Sequence, residues 1–153
     1  MKTLQKITFL LLLSISVQAQ YKFAVGARFD GSPGLTLKAN KLGKAGAEFL
    51  LDGFGRGLKG TALIEWNQAA FNGGGFRWYY GFGGHLGSAP YYRHKDYVES
   101  NFQVGVDGIV GLEYNFTEIP LNMSIDWKPE FNLINYPGLY IQNFGLSARF
   151  AIK

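Results

Sequence analysis

The feature that most constrains this chain is a period of two in hydrophobicity, which recurs along nearly all of it after the first 20 residues. In the segment 102–116, for example, Phe102 and Val104 alternate with Gln103 and Asp107. Successive side chains of a β-strand point to opposite faces, so this period predicts strands with one apolar and one polar or small face. No stretch after the N-terminal segment shows a helical period. The sequence therefore predicts an all-β protein.

Turn-forming residues divide the alternating pattern into eight strands that follow one another along the chain. Short connections predict antiparallel neighbours, and an even number of strands joined into a ring leaves no open edge. We therefore expect an eight-stranded antiparallel up-and-down β-barrel. The connections expected at one end of the barrel are 30–34, 52–57, 87–101 and 129–138, and those expected at the other end are 40–44, 67–75 and 117–120.

Residues 1–19 have the layout of a secretory signal peptide. Two lysines precede an apolar stretch at 7–15, and small residues stand one and three places before the expected cleavage point after Ala19. The apolar stretch is too short for a spanning helix, which needs about 20 residues. We expect cleavage, which leaves residues 20–153 as a single barrel domain.

Composition excludes several classes of function. The 153-residue chain has no cysteine, which removes disulfides, thiol nucleophiles and thiolate metal sites. Its formal net charge is +4, but no cluster of five basic residues exists, so nucleic-acid binding is not expected. Aromatic residues make up 16% of the chain, which is too many for a disordered protein. No cofactor is predicted.

Two kinds of closed barrel fit an exported chain, and the faces distinguish them. A soluble lipocalin-like barrel encloses a ligand with its apolar face, whereas a transmembrane β-barrel turns that face to lipid. Here the polar face mixes both signs of charge and is rich in glycine, which suits a lumen only wide enough for side chains. Aromatic residues also gather near strand ends, including Tyr21, Trp66, Trp78, Tyr114 and Trp127. This pattern favours the transmembrane barrel, and the soluble barrel remains an alternative.

The charged residues of the polar face are expected to pair inside the barrel. The predicted lumen charge network comprises Arg28, Glu48, Glu65, Arg77, His85, Asp107, Glu113, Asp126 and Arg149. For an exported chain, a transmembrane barrel implies the outer membrane of a gram-negative bacterium. The expected surroundings are outer-membrane lipid and lipopolysaccharide, and the expected state is a monomer.

The polar loop at residues 91–97 is the best candidate for binding at the surface. Exposed aromatic and basic side chains suit contact with lipopolysaccharide phosphates or with a partner protein. The candidate contact residues are Tyr91, Tyr92, Arg93, Lys95 and Tyr97. The alternative is that this loop packs its tyrosines on the barrel rim.

Catalytic and metal sites find little support in the sequence. His85 and His94 are the two histidines and lack the local spacing of metal ligands, so no metal site is predicted. A lipid-modifying enzyme remains an alternative because Ser88 follows His85 by three residues and Glu99 and Ser100 lie in the same segment. No G-x-S-x-G elbow is present, and no catalytic residue is predicted.

The segment 78–87, WYYGFGGHLG, resembles the WYYGxGxHxG stretch of small, mostly uncharacterised outer-membrane barrel proteins. The segments 107–114, 119–120 and 126–129 are similar to the second half of that group, and the resemblance spans roughly residues 58–153. The broader architecture resembles the OmpA/OmpX-type eight-stranded barrels. That resemblance implies a plugged lumen, a structural or surface-interaction role and no large pore.

One departure from the resemblance concerns the end of the chain. Such barrels usually end on an aromatic residue that the barrel-assembly machinery reads. Here Phe150 stands three places before the terminal Lys153. The resemblance implies the barrel-assembly machinery as a partner, and either Lys153 is a tolerated overhang or the recognition of this chain end differs.

Overall fold

The computed structural model describes residues 21–42, 45–53, 57–92, 98–135 and 137–152. The expected signal peptide therefore lies outside the described residues. The strands are β1 (Phe23–Phe29), β2 (Pro33–Leu42), β3 (Ala45–Asp52), β4 (Leu58–Ala69), β5 (Phe76–Tyr92), β6 (Val98–Asn115), β7 (Leu121–Trp127), β8 (Glu130–Ile134), β9 (Gly138–Tyr140) and β10 (Phe144–Ile152). A single 3₁₀ turn covers Phe71–Gly73. Within the described residues, no helix is both long and apolar enough to cross a membrane.

The strands form one closed antiparallel barrel. Each of β1 to β6 pairs with the next along the chain, and β10 pairs with both β7 and β1, which closes the ring. Strands β7 and β8 both pair with β6, so together they form one barrel strand that is interrupted at Lys128 and Pro129. Strands β9 and β10 likewise form one interrupted barrel strand, because β9 pairs with β8 and β10 pairs with β7. The predicted eight-stranded antiparallel barrel is confirmed.

Two expected loops are wrong because strands continue through them. β5 runs to Tyr92 and β6 begins at Val98, so most of the expected loop 87–101 is a paired hairpin. β8 and β9 occupy most of the expected loop 129–138. Backbone pairing with a neighbouring strand does not require an alternating side-chain pattern, and this explains the error at 87–101. In β8 the alternation does continue, from Glu130 to Leu133, but Pro129 separates it from the pattern of β7.

The barrel has two distinct ends. Tyr21 and Ile152 lie at one end, which we call the termini end, and the turn at Gly31 lies at the other, the hairpin end. Gly31 has φ +94° and Gly53 has φ +96°, so both turns need a left-handed backbone that glycine adopts without strain. At the termini end, β4 extends to Ala69, which makes the connection to β5 shorter than the expected 67–75.

The two faces of the wall differ sharply in chemistry. Large apolar side chains stand exposed on the outer face: Phe102 is 55% exposed and Val106 is 49% exposed. Charged side chains point inward and are buried, as Arg149 at 1% exposure illustrates. This arrangement is the reverse of a soluble ligand-binding barrel, so the lipocalin-like alternative is wrong.

Aromatic rings gather on the outer face towards the termini end. The rings of Trp78 and Tyr80 stack with centroids 5.2 Å apart, and Trp66 stacks on Tyr80 at 5.9 Å. Phe76 and Tyr114 pack at 4.6 Å nearby. Tyr21 does not belong to this belt: it is buried because its hydroxyl reaches a carboxylate in the barrel interior.

Candidate functional site: the charged lumen

The interior of the barrel collects charged side chains from every part of the wall. Eight of the nine residues predicted for the lumen charge network are buried: Arg28, Glu48, Glu65, His85, Asp107, Glu113, Asp126 and Arg149. Arg77 is half-buried, and its Nε has no hydrogen-bond partner in the described part of the chain. The period of two places all of them inside because each lies on the same face of its strand.

Lys38 is the centre of a middle cluster, which we define as Lys38, Glu48, Glu65, Glu113 and Arg149. Its ammonium lies 2.8 Å from Glu65 Oε2 and 3.2 Å from Glu113 Oε2. All three side chains are fully buried. Since a charge removed from water needs a partner, these contacts make the burial of the two carboxylates tolerable.

Arg149 is the second cation of the middle cluster, and each of its nitrogens has a partner. Its Nε donates to Thr36 Oγ1 at 2.9 Å, and Nη1 donates to Asn122 Oδ1 at 2.9 Å and Ser124 Oγ at 2.8 Å. Nη2 pairs with Glu48. The guanidinium therefore joins β10 to β2, β3 and β7 across the lumen.

A second ion pair lies nearer the hairpin end. Arg28 binds Asp126 with two parallel bonds, Nη1 to Oδ2 at 2.7 Å and Nη2 to Oδ1 at 2.6 Å. Tyr79 links this pair to the middle cluster. Its hydroxyl donates to Asp126 Oδ2 at 3.0 Å, and its ring lies 3.8 Å beneath the Lys38 ammonium.

A third group, the hairpin-end cluster, consists of Lys59, His85, Asp107, Lys128 and Glu130. His85 Nδ1 lies 2.9 Å from Asp107 Oδ1. Lys59 donates to Glu130 Oε1 at 2.7 Å, and Lys128 donates to the same oxygen. The cluster thus links β4, β5, β6 and β8.

Three members of the hairpin-end cluster have the donor types of a metal site. The nearest donor atoms of His85, Asp107 and Glu130 lie within 4.8 Å of one another. However, His85 Nε2 is also 2.7 Å from Asn132 Oδ1, so both ring nitrogens have protein partners. Two lysines already neutralise Glu130. These residues satisfy one another, and a bound metal would have to displace an ammonium.

Glycines on the inner face provide the room for the large side chains. A Cβ at Gly145 would overlap the guanidinium of Arg28. A Cβ at Gly111 would lie 2.7 Å from the Tyr79 hydroxyl oxygen. The glycine-rich composition of the polar face is therefore a packing requirement of a narrow lumen.

Several lumen residues were missing from the predicted network. Lys38, Tyr79 and Lys128 lie on the inner face at positions that the period of two marks, so the signal for them was present in the sequence. Glu130 was assigned to a loop because Pro129 interrupts the pattern. An apolar layer of Leu50, Leu63 and Ile109 also packs around Tyr79 inside the barrel.

Of the remaining candidates for an enzyme site or a surface contact, the structure describes the side chains of Ser88 and His85. Ser88 is exposed on the outer face, whereas His85 is buried inside, so the two cannot act as nucleophile and base. The side chains of Glu99 and Ser100 lie outside the described residues, as do those of the surface-loop candidates Tyr91, Tyr92, Arg93, Lys95 and Tyr97.

Comparison with known proteins supports the fold. No family model matches the sequence, and no curated protein matches it. Among solved structures, the chain is similar to the crystal structure of the N-terminal β-barrel domain of Pseudomonas aeruginosa OprF, with a TM-score of 0.63. The identity is 14%, and the match covers 84% of this chain and 93% of that one. At this identity the likeness shows a shared barrel fold.

Proposed function

We propose that this chain is an integral outer-membrane β-barrel of a gram-negative bacterium, exported with a cleaved signal peptide. The observation that carries the proposal is the distribution of side chains on the wall. Phe102, Val106 and Ile125 stand exposed on the outside, while Arg28 and Arg149 are buried within. An exposed apolar surface of this extent requires a non-aqueous surrounding.

Fractionation of cells that express the full chain tests this location. We expect the protein in the outer-membrane fraction, resistant to extraction by alkaline carbonate and released by detergent. Amino-terminal sequencing of the purified protein should begin at Gln20. Recovery of folded protein from the periplasm without detergent would contradict the proposal.

We further propose that the lumen is closed to the bulk flow of ions. The support is the continuous set of buried contacts from the middle cluster through Tyr79 to the Arg28–Asp126 pair, together with the apolar layer of Leu50 and Leu63. An eight-stranded barrel has little interior beyond its side chains.

Planar-bilayer recording tests the closed lumen. We expect no large, stable open steps from the wild-type protein. The double variant Lys38→Ala and Tyr79→Ala removes the link between the clusters and should increase conductance. Heat-dependent mobility on SDS gels verifies folding of both proteins. Large steps from the wild type would refute closure.

A structural or surface-interaction role fits these properties. The β5–β6 hairpin supports the surface role because its strands stay paired to Tyr92 and Val98, although β4 ends its pairing with β5 at Ser88. Four more residues of β5 extend the hairpin by about 13 Å at 3.3 Å per residue. Outer-membrane lipid and lipopolysaccharide are the proposed contacts, and the barrel-assembly machinery is the proposed folding partner.

Loop replacement tests the surface role. Replacing residues 93–97 with a short glycine–serine linker should leave folding intact and reduce binding to lipopolysaccharide-containing vesicles relative to phospholipid vesicles. Equal binding by the wild type and the replacement would assign the hairpin a structural role.

A further inference from the structure

Asp52, at the end of β3, is a buried carboxylate to which the lumen network offers no partner. The residue is 2% exposed, and neither Oδ1 nor Oδ2 has a hydrogen-bond partner in the described part of the chain. A buried carboxylate without partners is costly, and a bound cation is one kind of partner that would remove this cost.

The described cations near Asp52 bind other carboxylates. Lys59 is the Cα partner of Asp52 across the β3–β4 ladder, yet its ammonium bonds Glu130 at 2.7 Å. Lys128 bonds the same Glu130 oxygen, and Arg28 is held by both bonds to Asp126. Among the side chains that the structure describes, the hairpin end thus supplies two ammonium groups to Glu130 and none to Asp52.

A second carboxylate faces the same space. Asp30 lies in the β1–β2 turn, with its side chain 7% exposed, at the same end of the barrel as Asp52 and four residues before Gly34, the Cα partner of Asp52. Its Oδ1 accepts a weak bond from Ser32 Oγ at 3.4 Å, and its Oδ2 lies 3.7 Å from Arg28 Nε. Two carboxylates and a hydroxyl are oxygen donors of the type that hard divalent cations prefer.

The charge balance also favours a cation. Among the described side chains at the hairpin end, the carboxylates are Asp30, Asp52, Asp107, Asp126 and Glu130. The permanent cations facing them are Arg28, Lys59 and Lys128. With His85 neutral, these described side chains leave an excess of two negative charges, which one divalent ion would balance.

We propose that the hairpin end of the lumen binds one divalent cation of the calcium or magnesium type, with Asp52 as a direct ligand and Asp30 as the second carboxylate. The backbone fits this role because Gly34, the Cα partner of Asp52 on β2, has no side chain. Any Cβ there would press on Asp52 Oδ1, so glycine leaves the carboxylate its space.

Isothermal titration of the full chain, purified in detergent micelles, tests the site. The probes are CaCl₂ and MgCl₂ in buffer of constant ionic strength. We expect saturable binding of one ion per chain by the wild type. Asp52→Asn should weaken binding by more than about tenfold, and Asp30→Asn should weaken it by less, because Asp30 retains partners within the protein.

Glu118→Gln is the matched control. Glu118 is an exposed carboxylate on the β6–β7 connection at the other end, so its loss changes the net charge equally but should leave binding unchanged. Heat-dependent mobility on SDS gels verifies that each variant is folded, and Asp30→Asn provides a second test if Asp52→Asn does not fold. The absence of saturable binding by the wild type, or equal weakening by Glu118→Gln, would overturn the site.

Discussion

Arg149 offers the most direct test of how the lumen network stabilises the barrel. Arg149→Met keeps much of the side-chain volume but removes the ion pair with Glu48 and the bonds to Thr36, Asn122 and Ser124. Removing one partner of a buried ion pair typically costs about 3–5 kcal/mol, because the other charge remains buried and uncompensated. That loss is a large fraction of a typical total stability of about 5–15 kcal/mol.

Urea titration in phospholipid vesicles, followed by tryptophan fluorescence, measures this loss. Trp78 and Trp127 are both exposed on the outer face, so their emission reports transfer from lipid to water on unfolding. The control is Lys22→Met, which removes an exposed cation and should change the free energy of unfolding by less than about 0.5 kcal/mol.

A double-mutant cycle separates the ion pair from general damage to packing. Glu48→Gln removes the partner charge, so the combined variant Arg149→Met and Glu48→Gln should be more stable than the sum of the two single losses predicts. We expect a coupling of about 1–3 kcal/mol between the two positions. If Arg149→Met folds with a loss below about 1 kcal/mol, or if the two losses simply add, the reasoning about the network is refuted.

Two further substitutions test packing on the inner and outer faces. Gly145→Ala places a Cβ on the Arg28 guanidinium and should destabilise the folded barrel by about 1–3 kcal/mol in the same urea titration. The control is Gly60→Ala, which should be nearly neutral because its Cβ would meet only a backbone oxygen at 3.9 Å. Equal losses in the two variants would contradict the packing argument. Val106→Arg on the outer face should lower the free energy of unfolding in vesicles by about 2–4 kcal/mol if the residue lies near the bilayer midplane. Ser88→Arg, near the hairpin end, should lower it by about 1 kcal/mol or less. An unchanged free energy of unfolding for Val106→Arg would argue against lipid contact.

The composition of the lumen was predictable, but the pairing within it was not. The period of two identified Glu48, Glu113 and Arg149 as residues of one face. Nothing local indicates that Arg149 pairs with Glu48, 101 positions away, while Glu113 pairs with Lys38. These partners depend on the register of all the strands around the ring, which is a property of the closed barrel.

The errors in the predicted strands have a similar origin. Between Gly87 and Asn101 the side-chain alternation fades, and the pattern there is typical of a loop. After Pro129 the alternation continues for four residues, but the proline separates it from the preceding strand pattern. The structure pairs these segments because a neighbouring strand presents free backbone groups beside them, as β6 does for β8. Backbone hydrogen bonds form between any non-proline residues, so they leave little trace in a local pattern.

The class of the fold and the chemistry of each face were predictable from the amino-acid sequence, because the alternation of side chains along a strand is a local consequence of backbone geometry. Which charges meet, where strands end, and that Asp52 has no hydrogen-bond partner among the described residues all depend on the three-dimensional fold. Those outcomes follow from closing the sheet into a ring, which fixes the distances between side chains that are far apart along the chain.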